Sequence, residues 1–218
     1  VVGPEAPLVS GLANQLCSEG IPCFGPDSDN AMLEGSKLRA KEAMRMMGVP
    51  TADFIVLDET SDIAESLDRF AENPWVIKRD VLAGGKGVLV TESLDEAKKF
   101  VTESIATDGR VLIEEFLPGE EASMLVIMDE GAAVCLPPSQ DHKRVDEGDI
   151  GLNTGGMGAY CPAPVVTAEI NEKVMTRIVE PMHKGLSSQI NPYRGVLYIG
   201  LMIDSNGDPY VVEFNVRF

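Results

Sequence analysis

The stretch KRDVLAGGKGVLV, residues 78–90, places three glycines and two lysines beside runs of apolar, β-branched residues. A Walker phosphate-binding loop has the pattern GxxxxGK[ST] and opens a helix. Here Asp80 lies five residues before Gly85, and Gly87 follows Lys86, so the pattern fails at two positions. Because GVLV favours a strand, we predict a β-hairpin whose glycine-rich tip covers phosphates with backbone N–H groups and a lysine charge. An ordinary mobile hairpin is the alternative interpretation of this stretch alone.

Around this hairpin, predicted helices and strands interleave, which indicates an α/β or α+β fold with a mixed sheet. The period-2 and short apolar runs predict strands at residues 1–4, 21–26, 53–58, 75–78, 87–90, 111–117, 123–128, 132–137, 195–204 and 209–218. Apolar spacing near 3.6 predicts helices at residues 7–20, 30–50, 61–73, 93–104 and 167–190. We expect Ser61 to cap the third helix and Pro181 to kink or break the last one.

Composition narrows the class of protein. The chain has 218 residues and 44% hydrophobic residues, enough for one large domain or two small ones with a real core. Its formal net charge of −17 opposes binding to nucleic acid. The four cysteines form no CxxC pair, so we expect buried, reduced thiols in a cytoplasmic protein. No apolar run approaches the ~20 residues of a membrane helix, and we expect no membrane partner.

Both ends of the chain lie in apparent strands, VVGPEAPLV at the start and VVEFNVRF at the end. The chain also begins without Met. We therefore expect a fragment of a longer protein.

The EFN tripeptide, residues 213–215, predicts a metal site. In a strand, Glu213 and Asn215 share one face, so a carboxylate and an amide oxygen converge as ligands for Mg²⁺. Arg217 shares that face and is placed to meet an anion. A solvated strand face is the alternative for the tripeptide alone.

Two further segments carry polar patterns. One interpretation of IEEFLPGEE, residues 113–121, is a hinge whose backbone binds adenine while Glu121 accepts hydrogen bonds from ribose hydroxyls. The alternative is a plain acidic turn. In residues 138–164 the periodicity breaks, and the segment is as long as functional loops. We predict that the backbone of Thr154, Gly155 and Gly156 forms an anion-binding nest in this segment. We also predict that Asp141 accepts a hydrogen bond from an ammonium group.

Taken in order, GPEAPLV, LEGSK, VIKRDVLAGGKGV, IEEFLPGEE, QDHKR, NTGGMGAY and EFNVRF resemble the glycinamide ribonucleotide synthetase family from Val1 to Phe218. QDHKR and NTGGMGAY are specific to this family within the ATP-grasp superfamily. The resemblance implies two α+β lobes that clasp ATP, preceded by the end of a Rossmann-like domain. It assigns residues 1–29 to that amino-terminal substrate domain, 30–50 to a linking helix, 51–117 to the small lobe with its lid, and 118–218 to a truncated large lobe.

The resemblance also implies a reaction. In this family ATP phosphorylates the glycine carboxylate, and the amine of 5-phosphoribosylamine attacks the glycyl phosphate. The products are glycinamide ribonucleotide, ADP and phosphate, in de novo purine biosynthesis, with Mg²⁺ or Mn²⁺ as metal. Two alternatives stay open: another ATP-grasp carboxylate ligase of purine synthesis, and a nucleotide-binding fragment without turnover.

Residue roles follow from the same motifs. The resemblance implies that Arg217 and Lys86 act in catalysis and that Glu213 and Asn215 hold the metal. The nucleotide site it implies comprises Lys37, Lys78, Ala83, Gly84, Gly85, Lys86, Gly87, Glu114, Glu115, Phe116, Leu117 and Glu121. The substrate site it implies comprises Gly3, Pro4, Glu5, Asp141, Lys143, Asn153, Thr154, Gly155 and Gly156.

The chain departs from the family pattern K-A-D-G-L-A-A-G-K-G at three positions. Arg79, Val81 and Gly84 stand where the family has Ala, Gly and Ala, so we expect the hinge of the lid to shift. Leu152 stands where Pro is usual, which should loosen that loop.

Overall fold

The computed structural model describes residues 1–82, 87–141, 144–146, 150–153 and 158–218. Within these ranges the helices are α1 (Glu5–Val9), α2 (Leu12–Ser18), α3 (Ser28–Gly35), α4 (Lys37–Met47), α5 (Ile63–Asp68), α6 (Leu94–Asp108), α7 (Ala168–Val174), a π-helical turn (Met175–Val179) and α8 (Glu180–Ser187). The strands are β1 (Phe54–Asp58), β2 (Trp75–Arg79), β3 (Val88–Thr91), β4 (Arg110–Glu114), β5 (Glu120–Met128), β6 (Ala133–Cys135), β7 (Gln140–Asp141), β8 (Arg144–Asp146), β9 (Ile150–Asn153), β10 (Ala159–Tyr160), β11 (Gly195–Ile203) and β12 (Pro209–Asn215).

The first large sheet has the strand order β1-β4-β2-β3, with antiparallel neighbours throughout. Alternate side chains of its strands, such as Leu57 and Ile77, are buried against α5 and α6. Within it, β2 and β3 pair as predicted, with Lys78 opposite Val88, and the Arg79 N–H donates to Gly87 O at 2.8 Å. The structure thus confirms paired strands on both sides of the glycine-rich segment.

The second large sheet has the order β12-β11-β5-β6, again antiparallel. Its buried side chains, including Met124, Ile199 and Phe214, belong to the same core as residues of α3, α4, α7 and α8. The hairpin of β11 and β12 confirms the predicted one. Two short two-stranded ribbons, β7 with β10 and β8 with β9, lie in the segment where no periodicity was found.

A short linker, residues 115–119, joins the two sheets and lies at the predicted boundary between the lobes. It is tied to the first sheet, since the Glu115 N–H donates to Asp53 O at 2.8 Å. At its other end Gly119 passes close to β11, and a Cβ there would lie 2.2 Å from Ile203 O. Only glycine fits this approach, which brings the linker directly into the β5–β11 pairing.

The predicted strands at residues 1–4 and 21–26 are wrong. Residues 1–29 all lie in the described part of the chain, and their regular elements are the helices α1 and α2 and the start of α3. A strand needs a neighbour for its backbone groups, and prolines at 4, 22 and 26 remove donors from these short apolar runs.

The single helix predicted at residues 30–50 is two helices. Ser36 is extended, with φ −142° and ψ 122°, and ends α3 while capping α4 through a bond from the Arg39 N–H. The predicted end at Gly48 is confirmed, since that residue takes the left-handed conformation with φ 69°.

Three smaller expectations also need correction. Asp62, not Ser61, caps α5, because its carboxylate accepts from the N–H groups of Ala64 and Glu65. The helix is not broken at Pro181, which directly follows a π-helical turn that alters the hydrogen-bond ladder; a kink there stays a prediction. Of the cysteines, Cys23 is buried, but Cys17 and Cys161 are exposed.

No helix within the described ranges is both long and apolar enough to span a membrane.

Candidate functional site

A polar cavity of about 250 Å³ lies where α3 and α4 meet the base of the 78–90 hairpin and the end of β12. Its lining comes from four separated parts of the sequence: Glu5, Glu34, Lys37, Val81, Leu82, Gly87, Val88, Glu213, Phe214, Asn215 and Arg217. Six of these residues were predicted as site residues, namely Glu5, Lys37, Gly87, Glu213, Asn215 and Arg217. The fold therefore brings together side chains that the sequence only placed in order.

The β12 strand supplies one wall because its side chains alternate between core and cavity. Phe214 and Val216 are buried at 3% and 1% exposure, which anchors one face of the strand in the core. Glu213, Asn215 and Arg217 consequently share the other face, as predicted.

Lys37 lies at the first position of α4, at the opposite wall. The helix start is held by Asp80 of the hairpin base, whose Oδ1 accepts from Ser36 Oγ at 2.8 Å and from the Leu38 N–H at 3.0 Å. Arg110 Nε donates to the other oxygen of Asp80 at 2.6 Å. Lys37 therefore brings an ammonium group to this wall, while the Leu38 and Arg39 N–H groups at the start of α4 are already bonded to Asp80 and Ser36.

Glu34 lies beneath the β12 wall and is 9% exposed. Its Oε2 accepts the Val216 N–H at 2.7 Å, and its Oε1 accepts Arg217 Nη2 at 3.1 Å. Burial raises the pKa of this carboxyl above its usual value, although Val216 and Arg217 act in the opposite direction. Arg217 also approaches Glu5, with 3.5 Å between Nε and Oε2, so one guanidinium lies between two carboxylates.

Glu213 and Asn215 fit a divalent cation such as Mg²⁺ as a partial ligand set. Mg²⁺ is usually bound by one or two protein oxygen donors together with substrate phosphates and water. The Asn215 amide nitrogen, in the orientation that satisfies its neighbours, donates to Glu34 Oε1 at 3.0 Å and to Phe214 O at 3.3 Å. Its oxygen therefore points away from Glu34. Among the described residues, this cavity included, no group of three or more His, Cys, Asp or Glu side chains is arranged to hold a metal.

A buried ionic cluster lies next to the cavity, where Glu114 Oε2 is 2.9 Å from both Lys41 Nζ and Lys78 Nζ. Lys41 also donates to Thr51 Oγ1 at 2.9 Å and to Ala52 O at 3.0 Å, and Lys78 to Val212 O at 3.1 Å. Burial on its own would raise the pKa of Glu114, but the two ammonium groups hold it below the usual value. Burial lowers the pKa of Lys41, while Glu114 acts in the opposite direction. When both lysines are charged against one carboxylate, the cluster carries a net positive charge, which an anion can neutralise.

Other predicted residues lie outside the 250 Å³ cavity. Glu115 and Leu117 border a separate groove of about 470 Å³ along the linker. The remaining described ones lie before α1, in the linker, in β5, in β7 and at the end of β9; they are Gly3, Pro4, Phe116, Glu121, Asp141 and Asn153. Ala83, Gly84, Gly85, Lys86, Lys143, Thr154, Gly155 and Gly156 lie outside the described residues.

Sequence reasoning missed three residues that organise the site: Glu34, Lys41 and Asp80. Of these, Lys41 had a signal in the sequence. It lies four residues after Lys37, a helical spacing, and stands among the buried positions Ala40 and Met44. A charged residue at a core position of a helix needs a buried partner.

Comparison with known proteins first identifies the fold class of the chain. The fold matches that of the D-alanine–D-alanine ligase from Coxiella burnetii with a TM-score of 0.72 at 17% identity, over 94% of this chain and 54% of that one. It matches the crystal structure of phosphoribosylamine–glycine ligase from Thermotoga maritima with a TM-score of 0.79 at 38% identity, over 89% of this chain and 50% of that one. The model of the phosphoribosylglycinamide synthetase ATP-grasp (A) domain matches residues 35–218, so the fold is an ATP-grasp fold, as predicted.

The family follows from the remaining matches. The model of the phosphoribosylglycinamide synthetase N domain matches residues 1–34. Phosphoribosylamine–glycine ligases of Pseudomonas syringae pv. tomato and Salmonella typhimurium are 47% and 46% identical to the chain over its whole length, which is 52% of each relative. The chain therefore belongs to the phosphoribosylglycinamide synthetase family, and it spans about half the length of the curated relatives it matches.

Proposed function

We propose that this chain carries the ATP-binding and phosphoryl-transfer residues of a ligase that joins glycine to 5-phosphoribosylamine. The reaction passes through glycyl phosphate and yields glycinamide ribonucleotide, ADP and phosphate. The observation that carries the proposal is the shared cavity, which gathers Lys37, Gly87, Glu213, Asn215 and Arg217. The names of the relatives support the choice of glycine and phosphoribosylamine as substrates. We also propose a cytoplasmic location, which suits purine biosynthesis.

The chemistry suits these residues. A carboxylate is a poor electrophile, and phosphorylation gives it a leaving group, so the protein needs to position its substrates and neutralise charge rather than supply a nucleophile. Lys37 and the Lys78–Glu114–Lys41 cluster supply positive charge for ATP phosphates. A divalent cation, when bound by Glu213 and Asn215, neutralises phosphate charge during transfer.

Arg217 is assigned to the transferred phosphoryl group, because its guanidinium lies at the cavity beside the two proposed metal ligands. Glu5, brought to the same cavity by α1, is assigned to the substrate side. The linker residues Glu115, Phe116 and Leu117 with Glu121 stay assigned to adenine and ribose. Lys86 and residues 83–85 stay assigned to the phosphates, and Asp141, Lys143 and residues 153–156 to glycine and phosphoribosylamine.

The test is ADP release by the full-length protein with ATP, Mg²⁺, glycine and phosphoribosylamine. ADP release that requires both glycine and phosphoribosylamine supports the proposal. Formate or bicarbonate replacing glycine would instead indicate another ATP-grasp carboxylate ligase. Calorimetry that shows Mg-ATP binding without turnover under any of these conditions would leave a nucleotide-binding protein and overturn the ligase assignment.

A further inference from the structure

The carboxylate of Glu34 contacts Asn215, the last residue of β12, and the two residues that follow it, although Glu34 lies on α3, about 180 residues earlier in the chain. The Val216 N–H and Arg217 Nη2 donate to it at 2.7 and 3.1 Å. When the Asn215 amide is set in the orientation that satisfies its neighbours, its nitrogen also donates to Glu34, at 3.0 Å. Both carboxylate oxygens are thereby engaged with protein donors. Glu34 is therefore placed to act through its neighbours rather than by binding a ligand itself.

The contact with Asn215 decides which end of the amide faces the cavity. An asparagine amide has one oxygen and one nitrogen at similar distances from Cγ, and either can face a given neighbour. A carboxylate accepts hydrogen bonds and donates none, so Glu34 selects the nitrogen. The amide oxygen is then directed away from Glu34, and only the oxygen can ligate a hard cation.

We propose that Glu34 is a positioning residue that orients the Asn215 oxygen for the divalent cation and holds the Arg217 guanidinium at the same wall. The proposal rests on the proposed function, since it assumes that Mg²⁺ is held at Glu213 and Asn215. Partners beyond the direct ligands typically change metal affinity by roughly 10–100-fold when they are replaced. Glu34 has the burial and the bonds of such a partner.

A purely structural role for Glu34 is the competing account, and Glu34→Gln separates the two. The glutamine keeps an oxygen for the Val216 N–H but presents an NH₂ group to Asn215 and Arg217. The Asn215 amide is then favoured in the reverse orientation, with its nitrogen on the cation side. Metal affinity should fall even where the fold is retained.

The experiment measures Mn²⁺ binding to the full-length protein in the presence of ATP, by the loss of the free Mn²⁺ electron paramagnetic resonance signal beyond the loss that the same concentration of ATP causes without protein. Asp29→Asn is the matched control, because it removes one negative charge from the exposed side of the same helix. We expect Glu34→Gln to weaken Mn²⁺ binding by roughly 10–100-fold and Asp29→Asn to leave it unchanged. Equal Mn²⁺ affinity in the two variants would overturn the proposal.

Adding Asn215→Asp to Glu34→Gln provides the sharper test. A carboxylate has an oxygen at both ends, so its orientation no longer matters, and the double variant should recover Mn²⁺ affinity relative to Glu34→Gln alone. Because the added negative charge alone strengthens Mn²⁺ binding, Asn215→Asp in the wild-type background is the control, and a gain of equal size in both backgrounds would count against the proposal. If Glu34→Gln does not fold, Glu34→Asp keeps the charge but shortens its reach, and the same loss of affinity is expected. Wild-type protein that binds no Mn²⁺ with ATP would instead refute the proposed metal site itself.

Discussion

Arg79 and Asp108 form a two-point ion pair between β2 and the last residue of α6. Arg79 Nε donates to Asp108 Oδ2 at 2.6 Å, and Nη2 donates to Oδ1 at 2.8 Å. Successive side chains of a strand point to opposite faces, so Arg79 faces α6 while Lys78 faces Glu114. Arg79 therefore forms an ion pair on the helix-covered face, while the Lys78 side chain lies on the other face.

Arg79→Ala should lower the melting temperature without weakening ATP binding. The carboxylate of Asp108 lies at the carboxyl end of α6, where the helix dipole disfavours negative charge, and Arg79 compensates for it. Thermal melting and ATP titration of the same variant check both parts. Lys99→Ala is the control, since it removes a cation from an exposed pair on the same helix. Weakened ATP binding with an unchanged melting temperature would contradict this placement of Arg79.

This pair should also show a defined pH dependence. The hydrogen bonds from Arg79 lower the pKa of Asp108 below its ordinary value of 3.8. A carboxyl group whose pKa is lower in the folded state than in the unfolded state stabilises the fold at pH values above its unfolded pKa. This stabilisation is lost as the pH falls through the folded pKa. The difference in melting temperature between wild type and Arg79→Ala should therefore be full at neutral pH and shrink in acid. A difference that grows in acid would be inconsistent with the pair.

Lys41→Met should destabilise the fold strongly. The Lys41 ammonium is a buried donor to Glu114, the Thr51 hydroxyl and the Ala52 carbonyl, and the substitution removes all three contacts. Glu114 keeps Lys78 as a partner, but a buried carbonyl left without its donor typically costs about 1–3 kcal/mol, which corresponds to a melting temperature lower by roughly 2–12 °C. Arg39→Met, on the exposed side of the same helix, should change it little. Equal melting temperatures for the two variants would show that the cluster contributes no stability.

The sequence predicted the contacts that depend on local pattern. The alternation in residues 213–217 placed Glu213, Asn215 and Arg217 on one face, because a strand imposes that period on its own residues. The break at Ser36 was missed, because its cause is Asp80, 44 residues away. Glu34 was missed for the same reason, since its partners lie about 180 residues later. The false strands at residues 1–4 and 21–26 show the converse, because apolar runs specify a strand only when a neighbouring strand is present.

Lys78→Ala should weaken ATP binding while costing less stability than Lys41→Met. Glu114 keeps Lys41 as a partner in this variant, but the net positive charge of the cluster disappears. Losing a charge-assisted contact to phosphate should reduce ATP affinity by roughly 10–100-fold. Isothermal titration with Mg-ATP measures the change, and unchanged affinity would remove Lys78 from the nucleotide site.

Glu213→Gln should raise the Mg²⁺ concentration needed for half-maximal turnover in the full-length protein. The variant keeps the size of the side chain and one oxygen, but it removes the negative charge that a divalent cation favours. Glu34 still orients Asn215, so some metal binding should remain and high Mg²⁺ should restore part of the rate. Glu130→Gln, an exposed acid paired with Arg194 at 3.7 Å, is the control for loss of one charge. Because Glu213 and Glu34 both line the cavity and act on the same proposed metal site, combining Glu213→Gln with Glu34→Gln should give a smaller loss than the two separate effects predict. A wild-type Mg²⁺ response in Glu213→Gln would refute its role as a ligand.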